Sequence, residues 1–162
     1  MTVDIRAARP EDLDQLVGLF DELDRYQSAW RVFEPRPTLR DETARRYRSI
    51  SDDPDSIQVV AEDDGRVVAM AVGRVSHVSS ISDERVLDVS NVVVLPSHRR
   101  RGIARSLILA LAAFARERGA RRLALKTYAA NREAMRFWES LGFTPRYVQM
   151  TSTVEELGGA DG

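Results

Sequence analysis

Leu87-Asp88-Val89-Ser90-Asn91-Val92-Val93-Val94-Leu95-Pro96-Ser97-His98-Arg99-Arg100-Arg101-Gly102-Ile103-Ala104 is the stretch on which the reading of this chain turns. The nearly continuous β-branched run from Val86 to Leu95 describes a buried strand, and Pro96 ends it because proline has no N–H to donate to a ladder. From Gly102 to Arg118 the apolar residues Ile103, Leu107, Leu111 and Phe114 fall on one helical face, and Gly119 closes the helix as its C-cap. The first-turn amides of such a helix lack internal acceptors and carry the positive end of its macrodipole. Arg99, Arg100, Arg101 and Arg105 crowd that same end. Cations there are disfavoured by about 0.3–1 kcal/mol each. Four of them in a chain of net charge −1 point to an anion among them. Gly102 lets a ligand approach the backbone, Ala104 keeps the next position small, and the geometry suits a pyrophosphate held by amides and clamped by arginine. A solvated, charged helix start with Gly102 merely easing the turn accounts for the same local pattern, and helix-start anion sites are generic, so the pattern alone names no ligand.

Outward from this segment the periodicities assemble a sheet. Upstream, Val3 and Ile5 alternate with polar neighbours as in a short strand, and Pro10 opens a helical turn with Glu11 and Asp12 beside it. Leu13, Leu16, Val17 and Phe20 continue at helical spacing to about Asp24. Arg25 to Pro37 reads as an irregular aromatic loop, and Thr38 with Asp41 predicts a capping box opening a second helix to about Ile50. Ile57, Val59 and Ala61 alternate as a strand, Asp64-Gly65 makes a tight turn, and Arg66 to Ser76 returns as a longer strand. Downstream come a strand over Arg122–Thr127, a helix over Arg132–Leu141 and at least one more strand between Phe143 and Ser152. The order β-αα-βββ-α-β-α-β implies an α/β (α+β) fold, a mixed sheet with helices on both faces. The expected organisation is a single domain over residues 1–154 and a frayed tail over 155–162.

Composition narrows the function classes. The chain of 162 residues is 43% hydrophobic and 30% charged, enough for a packed core without staples. Near-neutral charge disfavours a general nucleic-acid binder. The absence of cysteine removes disulfides, thiolate zinc sites and a cysteine nucleophile, and two histidines are a poor start for a metal site, so no metal is expected. No apolar run approaches the ~20 residues that span a bilayer, and the N-terminus lacks a signal-peptide core, which predicts a cytoplasmic protein without a membrane partner. Only Lys126 of the basic residues is lysine, a bias that reads as coding preference rather than recognition.

Arg99-x-x-Gly102-x-Ala104, following a strand that ends in Val-x-Pro, resembles the acyl-CoA-binding motif of the GNAT superfamily of N-acetyltransferases. Asn131-Arg132-Glu133-Ala134-Met135-Arg136-Phe137-Trp138-Glu139-Ser140-Leu141-Gly142-Phe143 resembles that family's second motif, and Ile5-Arg6-x-Ala8-x-x-x-Asp12-Leu13 resembles its usual start. The resemblance runs over residues 2 to 152 and is densest from 88 to 143. It implies a GNAT-like sheet of about six to seven strands with about four helices and a splayed central strand pair. It also implies transfer of an acetyl group from acetyl-CoA to a primary amine.

The resemblance assigns roles residue by residue. The backbone of Val92, Val93 and Val94 would pair with the pantetheine arm, and Arg99, Arg100, Arg101, Gly102, Ile103, Ala104 and Arg105 would take the pyrophosphate. Asn131 would lie near the pantetheine or serve as an N-cap, two compatible roles. The thioester carbonyl would be polarised by a strand amide, with Val94 the candidate. Counting back from Arg99 puts Asp88 and Ser90 where many members carry their base, so Asp88 would act through a water that Ser90 orders, provided burial raises its basicity. Simple alternation places Asp88, Ser90, Val92 and Val94 on one face; a plain surface carboxylate is the competing reading for Asp88. Trp138 stands where many members have a tyrosine acid, and an indole N–H transfers no proton. Tyr128 or Tyr147 would then supply it, or coenzyme A would leave as thiolate. Tyr26, Trp30, Phe33 and Glu34, with Glu22 and Asp24 nearby, would receive an amine-bearing acceptor or else form a homodimer contact. His77 and His98 read as surface residues. A catalytically weak acyl-CoA-sensing module is the alternative that the missing tyrosine keeps open.

Overall fold

A computed structural model describes residues 3–79 and 82–159. It forms two compact bodies, one ending at Ala130 and one beginning at Asn131, which are described in turn.

The first body is built on five strands in the order β1 (Asp4–Ala7), β2 (Ser56–Asp63), β3 (Arg66–Ser79), β4 (Ser82–Val94) and β5 (Arg122–Leu125). The first four are antiparallel neighbours, and β5 lies parallel to β4. The β2–β3 hairpin closes where the sequence predicts it, with Asp64 at φ 48° and Gly65 at φ 76°, the paired left-handed residues of a tight hairpin turn. Cross-strand alignment of Val60, Met70 and Val93 places an apolar row on one face, and α1 (Leu13–Gln27) covers it with Leu16, Val17, Leu19 and Leu23. Tyr47 of α2 (Leu39–Ser49) joins the same cluster. The other face is covered by α3 (Ile103–Glu117), whose Leu107 and Leu111 are fully buried, each stabilising the fold by about 2–3 kcal/mol.

The entry into α1 is a short 3-10 turn, Pro10–Asp12, whose start is held by the Arg9 N–H donating to Asp12 Oδ2 at 2.7 Å. The predicted capping box before α2 does not form. The Thr38 hydroxyl turns to Glu42 Oε1 at 2.7 Å, so the first backbone amides of α2 receive no side-chain cap.

In the second body α4 (Arg132–Ser140) opens on Asn131, whose Oδ1 accepts the Ala134 N–H at 3.1 Å. The expected strand between Phe143 and Ser152 is not made. The stretch has no ladder partner among the described residues, and Tyr147, Val148 and Met150 are left almost fully exposed. Its β-branched and aromatic residues favour an extended chain, but a strand exists only where a neighbour takes its hydrogen bonds. The sheet therefore has five strands rather than six or seven. Where a frayed tail is expected, Thr153 and Glu156 form a capping box that starts the short helix α5 (Val154–Gly158).

Candidate functional site

Strand β4 carries the main structural event. Val72 aligns with Asn91 while the next residue, Gly73, aligns with Val89, so Ser90 is an extra residue bulged out of the ladder. Gly73 is required here because a Cβ would lie 2.6 Å from Leu87 Cδ2, a side chain that is itself fully buried. The bulge reverses the phase of the strand. Asp88, opposite Arg74, shares the α1–α2 face with Asn91 and Val93, whereas Val92 and Val94 turn to the α3 face. The single face predicted for Asp88, Ser90, Val92 and Val94 is thus corrected. Simple alternation assumes that no residue is inserted, and Ser90 is inserted.

The same strand has an open edge. Its parallel ladder with β5 covers only Val86 to Val89, yet its antiparallel ladder with β3 continues to Val94. From Ser90 to Val94 the β5 side of the strand therefore has no ladder, and its backbone groups, apart from the Val94 carbonyl that Arg99 takes, are open to an extended ligand. The strand then passes through the 3-10 turn Pro96–His98 into the arginine loop. Arg100 sits at φ 64° and Gly102 at φ 77°. A left-handed non-glycine residue costs about 1–2 kcal/mol, so Arg100 marks a loop held in one shape by its surroundings. Gly102 is the N-cap of α3 and offers no side-chain cap. Its carbonyl already accepts from Ser106, leaving the Ile103, Ala104 and Arg105 amides as the orphan donors of the helix start. A Cβ on Gly102 would meet nothing within 4 Å, so this start faces open space.

The arginines divide into two kinds. Arg99 is tied back, its Nε donating to the Val94 carbonyl at 3.0 Å and its guanidinium lying 5.2 Å from the centroid of the Tyr26 ring. Arg101 and Arg105 are exposed and reach outward from the helix start. His98, expected at the surface, is instead anchored with mostly covered side-chain atoms, Nε2 lying 3.0 Å from Asp63 Oδ2 and Nδ1 2.8 Å from Ser97 Oγ. It pins the loop to the end of β2. His77 is exposed as expected.

Asp88 is exposed and accepts a hydrogen bond from Ser76 Oγ at 2.9 Å. Burial, the condition attached to its role as a base, is not met. Tyr128 follows the end of β5, half-buried. Trp138 packs edge-on between Phe137 and Phe143, with centroids 4.8 and 5.4 Å away, so within the second body it is a packing residue. Of the aromatic segment, Tyr26 and Trp30 meet edge to face at 5.2 Å, whereas Phe33 and Glu34 are exposed. Nearby carboxylates are already engaged: Glu22 by Arg25 and Asp24 by Arg31.

One cluster escaped the sequence reading. Asn91 Oδ1 accepts from Arg46 Nη2 and, at 3.3 Å, from the Tyr47 hydroxyl, joining α2 to β4 one residue past the bulge. Burial pushes the Tyr47 phenol up to about 12, although the neighbouring Arg46 pulls it the other way. A lone asparagine inside a valine run was the available signal.

In this mixed sheet the interior strand β4 bulges, parts from its parallel neighbour and feeds an uncapped, arginine-rich helix start, so an open strand edge stands on the same segment as a run of unpaired backbone donors. The chain belongs to the acetyltransferase (GNAT) family, whose profile matches residues 19–143. It is 30% identical over 149 residues to an uncharacterized N-acetyltransferase of Methanocaldococcus jannaschii, an alignment that takes in 91% of this chain but only 63% of that protein. It is 29% identical to streptothricin acetyltransferase of Streptomyces lavendulae, over 88% of this chain and 82% of the relative. An aminoglycoside N-acetyltransferase solved in complex with CoA superposes with a TM-score of 0.77, at 22% identity and over 94% and 95% of the two chains, which shows a common fold.

Proposed function

We propose that this chain transfers the acetyl group of acetyl-CoA to a primary amine by direct attack in a ternary complex. The observation that carries the reading is the conjunction on one chain segment of the open edge of Ser90–Val94 and the uncapped start of α3 with Arg101 and Arg105 beside it. The open edge suits an amide-bearing pantetheine arm, and the orphan amides suit a pyrophosphate. Family membership and the CoA-bound fold relative support the same assignment.

In the transfer the amine nitrogen forms a bond to the thioester carbonyl carbon and the carbon–sulfur bond breaks, sending the electron pair to sulfur. A backbone amide of the open strand, with Val94 as the candidate, stabilises the charge developing on the carbonyl oxygen. The amine proton leaves through a chain of waters running past Ser90 at the bulge to Asp88, six residues before Val94 on the strand. Asp88 is exposed, which suits relay through solvent better than direct abstraction. The thiolate takes its proton from Tyr128 or from solvent, because Trp138 has none to give. Val92 supplies backbone groups to the arm, whereas the N–H and C=O of Val93, opposite Met70, point to β3. Arg99 and Arg100 shape the loop, while Ile103, Ala104 and Arg105 supply its amides. Tyr26, Trp30, Phe33 and Glu34 border the acceptor.

Thiol release from acetyl-CoA over a panel of primary amines tests this. The expected result is amine-dependent release that Asp88→Asn slows about 100-fold in kcat with little change in KM for acetyl-CoA. A rate untouched by Asp88→Asn removes Asp88 from the base role. Thermal stabilisation by CoA without release for any amine selects the second reading, a sensing module, which the exposure of Asp88 favours.

A further inference from the structure

On the α1–α2 face of β4, Arg46 makes no ion pair among the described residues. Arg46 has two neighbours: the Asn91 side-chain oxygen, which is neutral, and the Tyr47 ring, 5.4 Å from its guanidinium carbon to the centroid. Burial keeps the Tyr47 phenol protonated, so it brings no charge. No carboxylate among the described residues lies within ion-pair distance of Arg46. Three of the four acids of the adjoining α1 are engaged, Asp21 by Arg40, Glu22 by Arg25 and Asp24 by Arg31. Arg46 is exposed, and Asn91 holds its guanidinium one residue beyond the bulge that opens the strand. A tethered guanidinium without a counter-ion is a half-made ion pair.

We infer that Arg46, positioned by Asn91 and Tyr47, recognises an anionic group on the acceptor, so that the preferred substrate is an amino acid or similar amino carboxylate rather than a polycation. This deepens the acetyltransferase reading and rests on it. Asp88 and Asn91 lie on the same face three residues apart, at most about 10 Å along a strand. Asn91 also lies three residues before Val94, so an acceptor whose carboxylate meets Arg46 brings its amine to the thioester carbonyl at Val94 across a short aliphatic spacer. Polycationic acceptors, of the kind named for the streptothricin and aminoglycoside relatives, would meet Arg46 as a like charge.

The test uses the purified full chain with acetyl-CoA and a series of amino carboxylic acids of increasing chain length, each paired with its carboxamide. The acid is expected to exceed its amide at least 10-fold in kcat/KM for the best spacer length. Arg46→Gln should bring that ratio close to one, through KM more than kcat, and Arg46→Lys should keep part of it. Equal rates for acid and amide, an unaltered ratio in Arg46→Gln, faster turnover of a polyamine or aminoglycoside, or no turnover of any acid overturns the inference. Calorimetry with acetyl-CoA separates the two failures. Binding without an acid preference sinks the inference alone, and no binding sinks the acetyltransferase reading together with it.

Discussion

Arg6 binds three segments of chain through one guanidinium: Nη1 and Nη2 donate to Asp12 at 2.7 and 3.0 Å, and Nε donates to Glu62 at 2.8 Å. Asp12 is buried, so its charge depends on these partners. The Arg6 hydrogen bond holds its carboxyl below the usual range, burial opposes this, and the Arg9 amide assists. Because the folded value is depressed, the stabilisation is complete above the unfolded value of about 4 and is lost as the pH falls through the folded one. Asp12→Ala is expected to cost about 2–3 kcal/mol at pH 7, less than for a fully orphaned buried pair because Glu62 remains on Arg6. Denaturant midpoints of the two proteins should converge between pH 4 and strongly acid solution; a gap that stays constant with pH contradicts the assignment. In the sequence Arg6 and Asp12 were visible only as part of a family-like opening. Their partner Glu62 is 56 positions from Arg6, and only the β1–β2 register brings it close.

At the scale of elements, the sequence was most informative where local rules suffice. The hairpin at Asp64-Gly65, the strand stopped by Pro96 and the helix between Gly102 and Gly119 follow from turn chemistry and periodicity, and the structure reproduces them. It was least informative where the outcome depends on a distant neighbour. Ser90 reads as one more residue of a strand, yet the register against β3 leaves it unpaired opposite the Val72–Gly73 step, and every side chain beyond it changes face. The bulge therefore hides Asn91 from simple alternation and separates Val92 and Val94 from Asp88. The ends of α3 provide a matched experiment. Gly102 and Gly119 are both left-handed, at φ 77° and 73°, and neither has an atom near its absent Cβ. Alanine at either should lower stability by about 1–2 kcal/mol. Only Gly102→Ala should also weaken acetyl-CoA binding, by 10-fold or more, because its methyl group projects from the helix start proposed to hold the pyrophosphate. Equal ligand effects from the two substitutions, read by thermal shift with and without acetyl-CoA, would contradict that placement.

For the molecule as a whole, net charge is nearly zero, but its distribution is not even. Ion pairs fasten the edges of the sheet and the ends of the helices, as in Arg74–Asp53, Arg85–Asp55 and Arg122–Glu84. Arg101 and Arg105 instead stand at the helix start where the local dipole repels them. Such an arrangement is stable only weakly by itself and becomes favourable when an anion arrives. Arg99 is a poor probe of this, since its loss would also free the Val94 carbonyl and the Tyr26 ring. Isothermal titration of the purified chain with acetyl-CoA, alongside an Arg101→Gln/Arg105→Gln variant, is therefore the most direct measurement. A saturable heat near one ligand per chain, weakened at least 10-fold in the variant and falling with added salt, is the predicted result; no heat, or an affinity indifferent to both arginines, would contradict the account.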